Sequence, residues 1–203
     1  MSSNVADEFD EFGDNDALEG AIANWMNMLK HEIGHVLISH LRGGRPRSIE
    51  IARGRPKFIQ SFADPSIECH DERNGCQSIL LARDSSLEQS AEAFHRLEVV
   101  VAGWVIERLL GGLDRKSSAV NDLARAANLA NEIAQSTGRS HDDIIHEAEM
   151  SVEELIKANE VTAQNALAIC EQRLRERADL LKQLEFRLEV LSTDDLDGIL
   201  DRK

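Results

Sequence analysis

Apolar residues near the start of the chain recur at steps of three and four. Leu18, Ala21, Ile22, Trp25, Met28 and Leu29 keep that rhythm, which predicts a helix over about residues 16–41. Gly43 and Gly44 stop it and Pro46 follows. The texture then changes. Over residues 47–82 the apolar positions, Ile49, Ile51, Phe58, Ile59 and Phe62 among them, lie in short runs broken by Gly54, Pro56, Pro65 and Gly75. That pattern predicts two or three short strands, at sheet edges or in a hairpin. Helical spacing returns over about residues 86–110, ended by Gly111-Gly112, and over about 118–136, ended near Gly138. Ser151 and Glu154 have the spacing of a capping box. They predict a long amphipathic helix reaching about residue 191 through Leu155, Val161, Leu167, Leu174, Leu181, Leu188 and Leu191. Ser192 with Asp195 would start a last short helix. The expected fold is mainly α (α+β), with a small β-hairpin or short edge strands and a long C-terminal helix.

Composition agrees with a packed domain. The chain has 203 residues, of which 42% are hydrophobic, enough to bury a core. Aromatics are 4% and tyrosine is absent, so aliphatic side chains on helices must fill the interior. The net charge is -14, and it is uneven. Residues 1–20 hold seven acids and no Lys or Arg. Residues 1–14 therefore read as a disordered acidic tail. Residues 15–203 read as one domain, with a catalytic core over 15–136 and a C-terminal helical part over 137–203. An acidic surface repels phosphate backbones, which argues against a nucleic-acid partner. No stretch is long and apolar enough to predict a membrane span, and the acidic start is unlike a signal peptide. The three cysteines, Cys69, Cys76 and Cys170, are too few and odd in number for a disulfide scaffold. They suit a reducing compartment, so a cytoplasmic protein is expected.

The chemistry concentrates at His31-Glu32-Ile33-Gly34-His35. Residues four apart share a helix face, so His31 and His35 can grip one Zn²⁺. Glu32, between them in sequence, lies beside the open coordination position. There it can serve as the general base for a water whose pKa the metal has lowered to about 7. A third ligand is needed. The metzincin spacing fails, because Ile38 and Leu41 stand where its Gly and His would be. His40 lies on another part of the helix surface. Spacing alone does not name the third ligand.

Three separated segments resemble the peptidase domain of FtsH-type ATP-dependent zinc metalloproteases. They are His31–His35 with its glycine, Val101-Ala102-Gly103-Trp104-Val105-Ile106-Glu107, and Val120-Asn121-Asp122-Leu123-Ala124-Arg125-Ala126. Weaker similarity continues at Asn165-Ala166-Leu167-Ala168 and at Leu191–Leu196, so the resemblance covers about residues 20–200. It implies a zinc metalloendopeptidase with Asp122 as third ligand, although an acid is also what any helical first turn favours. It makes Glu107 either a support for a ligating histidine or the rival third ligand. It also puts the strand at Ile49, Glu50 and Ile51 where a substrate would add by main-chain bonds. The sequence departs from the family at Trp104 and Arg108, at Ser118-Ala119-Val120 and at Leu29-Lys30. It contains no G-x-x-x-x-G-K-[ST] loop and no predicted membrane anchor.

The expected substrates are peptides or unfolded segments, because these residues hold no ATPase to open a folded domain stabilised by about 5–15 kcal/mol. A separate unfoldase and a homo-oligomer are the other partners considered. Two competing readings stand beside the peptidase: a zinc-stabilised peptide-binding module without turnover, and a helical oligomerisation protein with a chance motif. Of the remaining candidates, Cys69-His70 and Cys76 read as loop residues. His141 and His146 read as solvent-exposed, and Cys170 as a small core residue.

Overall fold

The computed structural model describes residues 11–52, 55–61, 86–111, 120–181 and 187–200. The long first helix, α1 (Glu11–Leu41), leads into a hairpin of β1 (Arg45–Ala52) and β2 (Arg55–Ser61). Three helices follow: α2 (Ser86–Leu109), α3 (Val120–Thr137) and α4 (His141–Ala158). The chain closes with α5 (Glu160–Glu176), the short α6 (Ala178–Leu181), β3 (Arg187–Leu191) and α7 (Thr193–Leu200). The fold is thus mainly helical with a small antiparallel sheet, as the pattern predicts. Helix α1 begins at Glu11, so the last four residues of the expected acidic tail are helical; residues 1–10 lie outside the described residues. So do Cys69, His70, Cys76 and residues 62–82 of the region read as short strands.

Periodicity explains the packing. On α1 the residues Ile22, Leu29, Ile33, Val36 and Leu37 are buried, a stripe at steps of three, four and seven. It packs against the equivalent face of α2, where Leu97, Val101, Val105 and Ile106 have no exposure. Each such side chain contributes about 1.5–3 kcal/mol of burial. Gly34 lets the two backbones approach closely: a Cβ there would lie 2.5 Å from the Ala102 carbonyl oxygen. Helix α1 ends in a Schellman motif. Gly44 N–H donates to the Ser39 carbonyl at 2.8 Å and Gly43 N–H to that of His40 at 2.9 Å. Gly43 has φ 85, a left-handed conformation that favours glycine.

Two expectations are corrected here. The stretch read as one helix to about residue 191 is instead the end of α4, then α5, α6 and a strand. The break falls at Asn159, whose backbone leaves the helical region (φ -121, ψ 25) while its side-chain amide donates to the Leu155 carbonyl at 2.8 Å. Asn competes for backbone partners in this way and so favours helix ends. Ser151 caps nothing; it sits inside α4, whose true N-cap is Ser140, accepting from the Asp143 N–H at 3.1 Å. The Ser192–Asp195 box does form: Ser192 N–H donates to Asp195 Oδ2 at 2.8 Å and Asp195 N–H to Ser192 Oγ at 3.3 Å.

The second correction concerns Ile49, Glu50 and Ile51. The strand order is β2-β1-β3, so β1 is the middle strand and not an edge. Over Ile49–Ala52 it pairs with β2 on one side and β3 on the other, so these three residues offer no open edge to a substrate strand. Ile49 and Ile51 point into the core with no exposure, and Glu50 takes a hydrogen bond from Arg187 Nε at 2.6 Å. Among the described residues, the open edges belong to β2 and β3.

Candidate metal centre

Three helices bring the site together. His31 and His35 project from one face of α1, one turn apart, with their rings edge to face at a centroid distance of 4.7 Å. Asp122 comes from the first turn of α3, where the helix dipole favours an acid. Its Oδ2 lies 2.9 Å from His31 Nε2 and 3.6 Å from His35 Nε2. Glu107, on α2, places Oε1 at 3.3 Å from His31 Nδ1, within ion-pair reach but outside hydrogen-bond geometry. Glu32 lies beside them on α1, buried, with Oε2 lacking a hydrogen-bond partner. Glu107 is buried too, and its Oε2 is likewise unpartnered.

Two histidines and three carboxyl groups therefore share an almost closed interior. His35 has no exposure, and Glu32, Glu107 and Asp122 are all under one-tenth exposed. Burial alone would neutralise such a cluster. Burial does oppose charge on His31, yet contact with Asp122 and Glu107, and the nearby charge of Glu32, carry it from 6.5 up to about 10. Burial pushes Asp122 upward, but the two imidazoles outweigh that and hold it well below the usual carboxylate range. Glu32 goes the other way. Desolvation raises it, and the pull of His35 and His31 does not bring it back. A carboxyl group poised to hold a proton thus sits next to one that resists protonation.

Does this set suit a cation? His31, His35 and Asp122 each offer one ligand atom, and these atoms lie within 4.8 Å of one another. Tetrahedral ligands at about 2.0–2.1 Å from a zinc ion are separated by about 3.4 Å, close to the 2.9 and 3.6 Å separations found here. The tautomer of His35 fits as well. His35 Nδ1 is 2.6 Å from the Val99 carbonyl, which can only accept, so Nδ1 carries the hydrogen. That leaves Nε2 to present a lone pair toward Asp122, the arrangement a cation requires. Among the described residues, this is the one group of His, Cys and acidic side chains placed to hold a metal ion.

No family model, curated protein or solved structure matches this chain.

The geometry therefore carries the reading by itself. Of the residues singled out in the sequence, the structure assembles His31, His35, Asp122, Glu32 and Glu107. It places Asp122 and not Glu107 at the shared centre, with Glu107 behind His31. It does not bring Ile49, Glu50 or Ile51 to the site as an available edge. His40 stays outside the cluster, and His141 and His146 are exposed on α4. The departures Trp104 and Arg108 face α4, where Trp104 Nε1 donates to Glu149 at 2.7 Å and Arg108 to Glu153 at 2.9 Å.

Two participants were not foreseen. The Val99 carbonyl is invisible in a sequence, because any residue carries one. Gly103 left a signal. An isolated glycine inside a helical pattern usually has a packing reason, and a Cβ at Gly103 would lie 2.3 Å from the His31 ring. The missing side chain is the space that His31 occupies.

Proposed function

We propose that this chain is a zinc-dependent endopeptidase acting on peptides or unfolded polypeptide segments, similar in its chemistry to FtsH-type peptidases. The observation that carries the reading is the meeting of His31, His35 and Asp122, with the buried carboxyl of Glu32 beside them. Imidazole and carboxylate ligands suit zinc among the divalent ions. When bound, zinc supplies a Lewis acid for the scissile carbonyl and makes water a nucleophile near neutral pH.

The chain's own residues do the rest. His31, His35 and Asp122 would hold the ion. The Val99 carbonyl orients the His35 ring through its Nδ1, and Glu107 lies within ion-pair reach of His31 Nδ1. Glu32 takes the proton from the attacking water at Oε2 and gives it to the departing amine nitrogen. A substrate strand would lie along the open edge of β2, which packs against α1, because β1 is paired on both sides over Ile49–Ala52.

A strand added along β2 must be extended, so loose chains are the direct substrates. A cytoplasmic setting is supported by Cys170, buried and unpaired, and by the absence among the described residues of any helix long and apolar enough to cross a membrane.

Glu32→Gln tests the assignment. At matched zinc occupancy, cleavage of an unfolded protein should fall by about 10²–10⁴-fold, the usual contribution of a general base. Equal cleavage by both forms would contradict the mechanism, and no cleavage by either would make the site a binding module.

A further inference from the structure

Glu98 is a fully buried carboxylate that the proposed chemistry does not use. It lies on α2 between two other helices. Arg42, just past the end of α1, donates to it twice, from Nε to Oε2 at 2.6 Å and from Nη2 to Oε1 at 2.5 Å. Ser151 of α4 donates to Oε1 at 2.6 Å and itself accepts from Arg42 Nη2 at 3.3 Å. Three helices are thus tied at one carboxyl group.

A buried ion pair is a poor device for stability alone, since apolar side chains of similar volume often do as well. What it supplies is direction. A planar guanidinium on a carboxylate fixes both distance and orientation. The location of this clamp gives it a purpose. Arg42 follows His35 by seven residues, about two helical turns further along, at the cap that ends α1. The two side chains reach neighbouring residues on α2: Arg42 grips Glu98, and His35 Nδ1–H meets the carbonyl of Val99 at 2.6 Å. A slide or rotation of α2 would break both contacts together. A Leu–Leu contact would tolerate such a shift.

We infer that Glu98, held by Arg42 and Ser151, is a positioning residue that keeps the Val99 carbonyl on His35 and so fixes the tautomer with which His35 meets a metal. The inference rests on the proposed metal-binding role of His35 and names how that role is maintained. It acts through the helix and touches neither metal nor substrate.

The test uses the full chain with Glu98→Gln and Ser151→Ala, the second leaving the Arg42–Glu98 pair in place. Nitrogen-15 NMR of the histidine rings in chelator-treated protein reads the His35 tautomer; competition for zinc reads affinity. Wild type should show His35 with its proton on Nδ1. In Glu98→Gln that signature should be lost or averaged, and zinc binding should weaken by about 10–100-fold. Ser151→Ala should shift both readouts the same way by a smaller factor. If Glu98→Gln does not fold, Ser151→Ala and Arg42→Lys carry the comparison. An unchanged His35 signal in variants that are merely less heat-stable would overturn the inference. Wild-type protein that binds no zinc, yet whose His35 signal still responds to these variants, would sink the peptidase reading and leave the positioning role standing.

Discussion

Two contacts between charged groups, nearly equal in length, sit in opposite settings. On the surface, Arg175 Nη1 of α5 donates to Glu19 Oε1 of α1 at 2.7 Å, with both side chains about half exposed. In the interior, His31 Nε2 lies 2.9 Å from Asp122 Oδ2, with both side chains about nine-tenths buried. Water weakens the first pair and would replace either partner if the other were removed. The second pair has given up its water, and each group depends on the other for its charge. The same helix, α1, makes both contacts. Near its start that helix is charged and open to water, whereas further along it carries a buried group of histidines and acids that could hold a metal ion. Glycines divide the same way. Gly20 has nothing within 4 Å of where a Cβ would stand, whereas a Cβ at Gly103 would overlap the His31 ring.

The sharpest way to break the contrast is Gly103→Ala. The new methyl must displace His31, and overpacking of this kind costs about 1–3 kcal/mol. Zinc binding should weaken by about tenfold or more, the penalty expected when a ligand ring loses its orientation, with helical content unchanged by circular dichroism. Zinc affinity equal to wild type would mean that the His31 ring is not held where the contrast requires. The same exchange at Gly20 should do the opposite. Gly20→Ala raises stability by about 0.5–1 kcal/mol, because alanine loses less freedom in a helix, and it leaves metal affinity alone. Denaturant melts measure it, and destabilisation would show that the start of α1 is packed more tightly than described. Smallest of all, Glu19→Ala should leave the melting temperature unchanged within error at physiological salt. A clear drop there would erase the distinction between the two regions.

How much of this was legible in the sequence depends on distance along the chain. His31 and His35 are four apart on one helix, so local geometry suffices to join them. Asp122 lies 91 residues from His31, and no periodicity connects them; only the family resemblance singled it out. Leu188 and Leu191 satisfy helical spacing, which hides the strand β3 in the sequence. Arg187–Leu191 also alternates, with Arg187 and Glu189 exposed and Leu188 and Val190 buried. The pairing with β1 decides between the two patterns, and that partner is far away in sequence. The Ser151 box failed for a related reason. A Ser three residues before a Glu occurs inside helices as well as at their ends, and here the hydroxyl serves Glu98. The better signal stood earlier, where Gly138 ends α3 and Ser140 precedes Asp143. The middle position of β1 could not be read at all, since its second neighbour comes from the C-terminal segment.

The central claim is that His31, His35 and Asp122 share one metal ion. Diffraction data collected at the zinc absorption edge, on protein purified without chelators, test it most directly. The account predicts one anomalous peak per chain, bonded to His31 Nε2, His35 Nε2 and a carboxylate oxygen of Asp122. No peak at that position, or a zinc ion bound without Asp122, would contradict it.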